Sequence, residues 1–327
     1  MTSFRTILLI FTSLLAVACS DPEQIPANAQ EHAAQGSYAA ALNNAGNIAI
    51  VSSINHGIAV WDLNNNALMY QWSHQQTQSE NIVLAIDISD DDKFAVTADR
   101  ENFAVWNLET GENVGYWQIQ ESSIRDIAIS NLGRYVLYGR GDGKVIHIDL
   151  ETGRRIEFLG HTEKINAVDL SANGYYALTG GNDYTAYLWD TRSAQVVHRF
   201  THPSRVTQVA FERLGRKAFT ADSKKQASIW SIQTGELISQ LQYTARQQVF
   251  SAVRFSPDAK LLATGSPSRK VTLWDSATGQ QQQKWYVAPR KGSRPKSAVV
   301  YDVAFSDNGR LITESSNGLS ETWQMSK

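Results

Sequence analysis

The sequence predicts an all-β protein built from seven like units, each a four-stranded antiparallel sheet. Three observations carry this. A short β-type run ends on one marker position seven times, at Trp61, Trp106, Ile148, Trp189, Trp230, Trp274 and Trp323, at intervals of about 41 to 49 residues, and Asp follows four of the markers. About eleven residues beyond each of the first six stands a second large apolar residue, Trp72, Trp117, Leu159, Phe200, Leu241 or Trp285; the two positions together use all nine tryptophans. About fifteen residues ahead of each marker lies a turn rich in Gly, Asn and Asp. A period in this range marks a chain in which one supersecondary unit recurs.

The elements follow in order. The turns ahead of the markers read Asn43-Asn44-Ala45-Gly46, Asp90-Asp91-Asp92, Asn131-Leu132-Gly133, Ala172-Asn173-Gly174, Arg213-Leu214-Gly215, Pro257-Asp258-Ala259 and Asp307-Asn308-Gly309. Gly, Asn and Asp accept the positive φ that tight hairpins need. A second turn follows most markers, as at Glu109-Thr110-Gly111, Glu151-Thr152-Gly153, Gln233-Thr234-Gly235 and Ala277-Thr278-Gly279. Between turns the residues are branched and aromatic, as in Ile124-Arg125-Asp126-Ile127-Ala128-Ile129 and Val271-Thr272-Leu273-Trp274, which is strand composition. Each unit is therefore strand, turn, strand, turn, strand, turn, strand. One such sheet cannot bury both its faces; several set radially about an axis can, each against its neighbours.

The fourth unit carries Gly160-His161, then Thr179-Gly180-Gly181-Asn182-Asp183, then Leu188-Trp189-Asp190. On these residues the chain resembles the WD40-repeat family over roughly residues 35–325, and seven units then imply a seven-bladed β-propeller occupying 36–327. The resemblance implies a hydrogen-bonded structural tetrad of His161, Thr179, Asp183 and Trp189. The third unit has Ile148 in place of Trp, the sixth has Ser268 at the Asp position and the last ends Trp323-Gln324, so a full tetrad is expected in blade four alone. Only Gln324-Met325-Ser326-Lys327 follow the last marker. The outer strand of blade seven would therefore have to come from residues 24–34, which are poor strand material because Pro26 cannot donate to a ladder. Three strands or four are both open for that blade.

Residues 1–18 read as a secretion signal. Arg5 precedes an apolar stretch, Ile7 to Ala18, that is too short to span a bilayer, and Cys19, the only cysteine, follows it. This resembles a bacterial lipoprotein signal, which implies that Cys19 is acylated and becomes the mature N-terminus. Ala16 stands where such motifs carry Leu, and Ala16-Val17-Ala18 also fits the A-x-A site of ordinary secretion; lipidation and plain secretion both stand. Ser20 would, by enteric-type sorting, send the lipoprotein to the outer membrane facing the periplasm. Residues 19–35, with Pro22 and Pro26 and no apolar periodicity, read as lipidated N-terminus and linker.

The formal net charge of −2 argues against a nucleic-acid binder. Its distribution is lopsided: residues 19–163 hold 20 acidic and 8 basic side chains, residues 164–327 hold 12 and 21. In a ring these halves become opposite flanks, either an orienting dipole toward an anionic partner or drift among solvated faces. The densest basic feature, Arg290, Lys291, Arg294 and Lys296, sits in the longest inter-strand loop, between units six and seven. Arg125, Lys164, Arg205 and Tyr301 belong to the same rim, near the starts of innermost strands. The loop reads as a solvated segment, a protein-binding device, or a contact for anionic glycan or lipid headgroups.

No metalloprotease, nucleophile-elbow or phosphate-loop motif occurs. The histidines are spread over several units, with His32, His74 and His202 near loops equivalent to that of His161, and Asp90-Asp91-Asp92 occupies a hairpin-turn position. No catalytic residue, cofactor or metal is predicted. The expected function is a monomeric, non-enzymatic protein-interaction scaffold, tethered to the bacterial envelope by lipid, with its protein partner unspecified. The alternative is an enzyme or small-ligand binder using the central channel, signalled by ionisable side chains converging there.

Overall fold

The computed structural model describes residues 24–54, 56–74, 81–244 and 248–326. Cys19 and the predicted signal lie outside them. The described chain forms seven four-stranded antiparallel sheets around an axis, a seven-bladed propeller. The innermost strands of blades one to seven are Ala39–Leu42, Ala85–Ile88, Ile124–Ile129, Ile165–Leu170, Val206–Phe211, Ala252–Phe255 and Val300–Phe305. Blades one to six run outward in chain order. The turns leaving the innermost strands form a lower rim; the loops that enter them, including Gly160-His161, form an upper rim.

Seven apolar clusters hold the ring, one at each seam between neighbouring blades. The repeat spacing follows from this. The second apolar residue of one blade packs on the marker of the next: Trp72 on Trp106 with ring centroids 4.7 Å apart, and Phe200 on Trp230 at 4.6 Å. Blade three departs from the expectation: Leu159 is 67% exposed, and Phe158 instead stacks on Trp189 at 4.6 Å. The eleven-residue spacing contains one bulge residue, because the outer strands of blades one, two, four, five and six shift register at the marker. The outer strand of blade three pairs without a shift, so its packing residue comes one position earlier.

The ring closes through the N-terminal segment. Asn28–Glu31 is the outer strand of blade seven, antiparallel to Leu319–Gln324 with Asn28 opposite Thr322 and Glu31 opposite Leu319. Blade seven thus has four strands. The linker reading of residues 19–35 is corrected for its second part, and the propeller begins at Asn28 rather than at residue 36. Pro26 does no harm because it precedes the ladder, whose first bond is from the Ala27 N–H to Thr322 O, 2.7 Å. An edge strand needs only one bonded side, so composition matters less here than in a central strand.

The closing seam has the leanest core. Its cluster holds Ala33, Ala40, Ala49 and Ala304 beside Leu42, Val51 and Ile312. Polar contacts supplement it. The N–H groups of His32 and Ala33 both reach Gly318 O, at 2.8 and 3.1 Å. Ser37 Oγ donates to Ser315 O, and Tyr301 Oη to Ser37 O. Buried His32 Nδ1 lies 2.8 Å from Glu314 Oε1, and its ring stacks on Trp61.

Gly318 has φ +81°, and a Cβ there would lie 1.9 Å from Ala33 O, whereas Gly309, at φ +74°, has nothing within 4 Å of such an atom. Both Gly→Ala changes carry the left-handed penalty of about 1–2 kcal/mol. Gly318→Ala adds a backbone clash worth roughly 1–3 kcal/mol. In thermal melts Gly318→Ala is expected to lower Tm clearly more than Gly309→Ala.

Candidate functional site

The upper rim is shaped by buried polar networks. In blade four, His161 Nδ1 lies 2.9 Å from Asp183 Oδ2 and Nε2 lies 2.9 Å from Thr179 Oγ1. Burial opposes the charge on Asp183, but hydrogen bonds from His161 and from the Thr162 and Thr185 backbone outweigh it and hold the carboxyl below its usual range. An Nδ1–H tautomer donates to the carboxylate and leaves Nε2 to accept the threonine proton. The last link of the expected tetrad is missing: Trp189 Nε1, buried, has no hydrogen-bond partner among the described residues.

The full tetrad expected of blade four is thus incomplete there, and blade four is not alone in holding most of it. In blade two, His74 Nε2 lies 2.7 Å from Thr97 Oγ1, which accepts from Trp106 Nε1 at 2.8 Å, and Asp99 stands 3.5 Å from His74 Nδ1. Blade five repeats this with His202, Thr220 and Trp230, at 2.9 and 2.8 Å, and with Asp222 at 3.9 Å. These aspartates are near charges rather than hydrogen-bond acceptors for Nδ1. In both blades the acid follows the threonine by two positions, where blade four has four, and no Gly precedes the histidine; those offsets hid the networks. The Trp–Thr bond recurs in blades six and seven, Trp274 to Thr264 and Trp323 to Thr313. Blade three has Tyr138 in the threonine position and ties its upper loop with Arg140 to Glu121 and Asp142 instead.

The other predicted rim residues lie on blades three, four, five and seven. The innermost strands of these blades shift register after their first residue, so Arg125, Asn166, Thr207 and Tyr301 are the extra residues of four equivalent bulges. A bulge re-aims its side chain. Arg125 and Arg205 are exposed, Lys164 is half-buried and Tyr301 is half-buried beside the cavity. Asn166, absent from the sequence-based set, donates to Asn182 Oδ1 and to Val206 O of the next blade; a lone Asn in a strand gave no signal for it.

Arg290, Lys291, Arg294 and Lys296 are all exposed on the loop between blades six and seven. The loop is ordered by its own bonds: Arg290 N to Ser297 O, Ser293 N to Arg290 O, and Ser297 N to Ser293 Oγ. Its footing is half-buried, with Ala288 N donating to the carboxylate of buried Glu321 and Asn317 Nδ2 to Ala288 O.

The axis holds a cavity of about 290 Å³ lined in part by Asp87, Asp126, Asp169, Asp302, Arg254 and Gln208. The four carboxylates are engaged as staples between blades. Asp87 accepts from Ile129 N, Asp126 from Val168 N, Asp169 from Phe211 N and Asp302 from Leu42 N, at 2.6–2.8 Å. Arg254 donates to Asp302, to Leu42 O and to Asn44. Arg213 reaches from blade five to Asp90 O of blade two at the lower rim. Burial pushes the carboxyls of Asp126 and Asp169 up to about 7, and raises that of Asp87 well above its ordinary range, with Asp169 adding to the effect. Among the described residues no group of His, Cys, Asp or Glu side chains could hold a metal ion. Asp90-Asp91-Asp92 forms the expected hairpin turn, with Asp92 at φ 58° and its carboxylate accepting from Asn44 N and Ala45 N.

Two segments, residues 153–190 and 237–275, match the WD40 model (WD domain, G-beta repeat). These matches and the seven-bladed ring support the WD40 β-propeller family. Each matched segment takes in the outer strand of one blade and the three inner strands of the next. The sequence repeat is therefore one strand out of phase with the blade, which is why the first described strand completes the last blade. No curated protein matches the chain.

Two outcomes follow. Thr220→Val strands His202 Nε2 and Trp230 Nε1 in the interior and is expected to cost about 2–4 kcal/mol. Thr179→Val breaks one such bond and is expected to cost about 1–2 kcal/mol; urea denaturation distinguishes them. Asp169 releases its proton near 3.8 when unfolded and near 7 when folded. The folded protein thus holds the extra proton between those values, and stability falls as pH rises through that window. The Tm difference between Asp169→Asn and the native protein should shift in the variant's favour from pH 5 to pH 8. The corresponding change in the stability difference is about 2 kcal/mol, below the full value for such a shift because Asp169 is only half-buried.

Proposed function

We propose that this propeller is a non-enzymatic scaffold that captures a protein on its upper rim while a lipid on Cys19 holds it to the bacterial envelope, on the periplasmic face of the outer membrane. WD40 propellers commonly mediate protein–protein interaction and are typically non-catalytic. The observation that carries the reading is the loop between blades six and seven, where four cationic side chains are displayed on an ordered frame. The tether geometry supports it. The ladder of the first strand runs from Asn28, opposite Thr322, toward Gly318 at the upper rim. The chain therefore enters from the lower side, and the stretch between Cys19 and Asn28 spans at most about 30 Å. A lipid on Cys19 would hold the lower side near the bilayer and leave the upper rim facing outward. Confinement to a surface also raises the effective concentration of whatever is bound.

A second reading, a small-ligand site at the axis, draws on the carboxylates and arginine around the cavity. Their engagement in bonds between blades favours a structural role for them over a catalytic one.

Proximity labelling in cells tests the scaffold. Neutralising Arg290, Lys291, Arg294 and Lys296 together should remove protein neighbours without changing Tm, and Cys19→Ser should move the protein from the membrane to the soluble fraction. An unchanged neighbour set would remove the loop from the function, and an unchanged membrane fraction would remove the lipid.

A further inference from the structure

The basic loop gathers four cationic side chains within seven residues, more densely than any other segment of the chain; single exposed cations such as Arg125 and Arg205 also lie outside the ion pairs. Arg134, Arg140, Arg155, Arg192, Arg216 and Arg254 all form ion pairs. Arg290, Lys291, Arg294 and Lys296 are exposed and form none among the described residues. The strand that follows the loop carries Tyr301, whose phenol feels the charge of Arg290. Arg290 Nε itself lies over Gly36, 3.7 Å from where a Cβ would stand. Tyr38, two residues further on, is 41% exposed. A continuous strip thus runs from four uncompensated cations, past two phenol rings, to the mouth of the axial cavity.

From this strip we infer that the partner presents an acidic segment of polypeptide, rich in Asp and Glu, that lies across blades six, seven and one. The inference rests on the scaffold reading and names the chemistry of what the scaffold holds. Carboxylates supply the charges the loop lacks, and guanidinium groups take them in paired, planar hydrogen bonds. The frame is already ordered by Ser293, Ser297 and the Glu321–Asn317 footing, so little ordering remains to oppose binding. A flat anionic bilayer fits less well. The same rim carries exposed Glu101 and Glu163 on blades two and four, outside the ion pairs that neutralise Glu121 and Asp142, and a planar surface resting on the loop brings these two acids toward it. A narrow segment covers the basic side and leaves the acidic side in solvent, where salt screens it.

The test is fluorescence anisotropy of a labelled oligo-glutamate peptide with the full folded domain at low and physiological salt. Oligo-glutamine and phosphatidylglycerol vesicles serve as the other probes. The paired reversal Arg290→Glu with Arg294→Glu should weaken oligo-glutamate binding at least about tenfold. The reversal Lys224→Glu with Lys225→Glu makes the same change in net charge at exposed positions on blade five and should weaken binding less than about threefold. Neutral Lys291→Gln with Lys296→Gln provides a second loop variant, and melts of all three verify the fold. Equal loss in both reversals would reduce the effect to bulk charge and overturn the inference. So would failure of oligo-glutamate to bind the native domain, or preference for the vesicles with loss in the loop variants. If oligo-glutamate fails while proximity labelling still returns neighbours that the loop variant loses, the partner class is wrong and the scaffold stands.

Discussion

Everything in this molecule depends on four residues of outer strand. Asn28–Glu31 pair with Leu319–Thr322, and without that ladder the two ends of a seven-blade array would be joined only by the contacts of one seam and two backbone bonds to Gly318 O. The buried part of that seam holds four alanines, with Trp61, Leu63 and Tyr301 only partly buried against it, whereas other seams bury Trp72 on Trp106 or Trp285 beside Trp323. At about 25 cal/mol per Å², each alanine in place of a larger side chain forgoes stabilisation that the strap over residues 32–37 must supply with hydrogen bonds. The strap does so with close contacts that only glycine permits, at Gly36 against Ser316 O and Gly318 against Ala33 O.

The hub is held by a different device. Carboxylates of four innermost strands each accept a backbone N–H from the following blade. An innermost strand has a free edge at the axis, and such an edge carries unpaired backbone groups. The aspartates satisfy some of these groups and link neighbouring sheets. The arrangement brings acids together in a small cavity, where burial raises their proton affinity. Arg254 answers part of that charge from blade six. The hub is thus polar, and its four carboxylates and Arg254 each hold a bond between blades.

The blade count and turn positions were legible because they rest on local rules. A turn that needs positive φ selects Gly in five of the seven lower turns, and Asp92 and Ala259 take that conformation in two others. What was less legible depends on partners far away in sequence. The closing strand reads as linker because its pairing partner lies almost three hundred residues away and because an edge strand has no apolar alternation to show. The eleven-residue count points to Leu159 rather than Phe158 because one missing bulge shifts the packing position by one residue. The networks of blades two and five escaped because two different acid offsets bring a carboxylate near the same imidazole. In each case the geometry was conserved within the ring while the spacing in sequence was not.

The asymmetry of charge gains meaning from the same architecture. Radial blades turn a gradient along the chain into a gradient across the disc, and the phase shift between repeat and blade places the N-terminal segment beside the last, basic blades. Blade three uses two of its arginines internally: Arg140 is buried beneath Glu121 and Asp142, and Arg155 bridges Glu121 and Glu157. That leaves blade three a neutralised, cross-linked surface. The loop before blade seven does the reverse, tying down its backbone and leaving its cations free. Ordered backbone under unpaired charge is unfavourable by self-repulsion in the isolated domain. Binding carboxylates there relieves the repulsion, which gives the domain differential affinity for an acidic segment over a neutral one without any rearrangement of the ring.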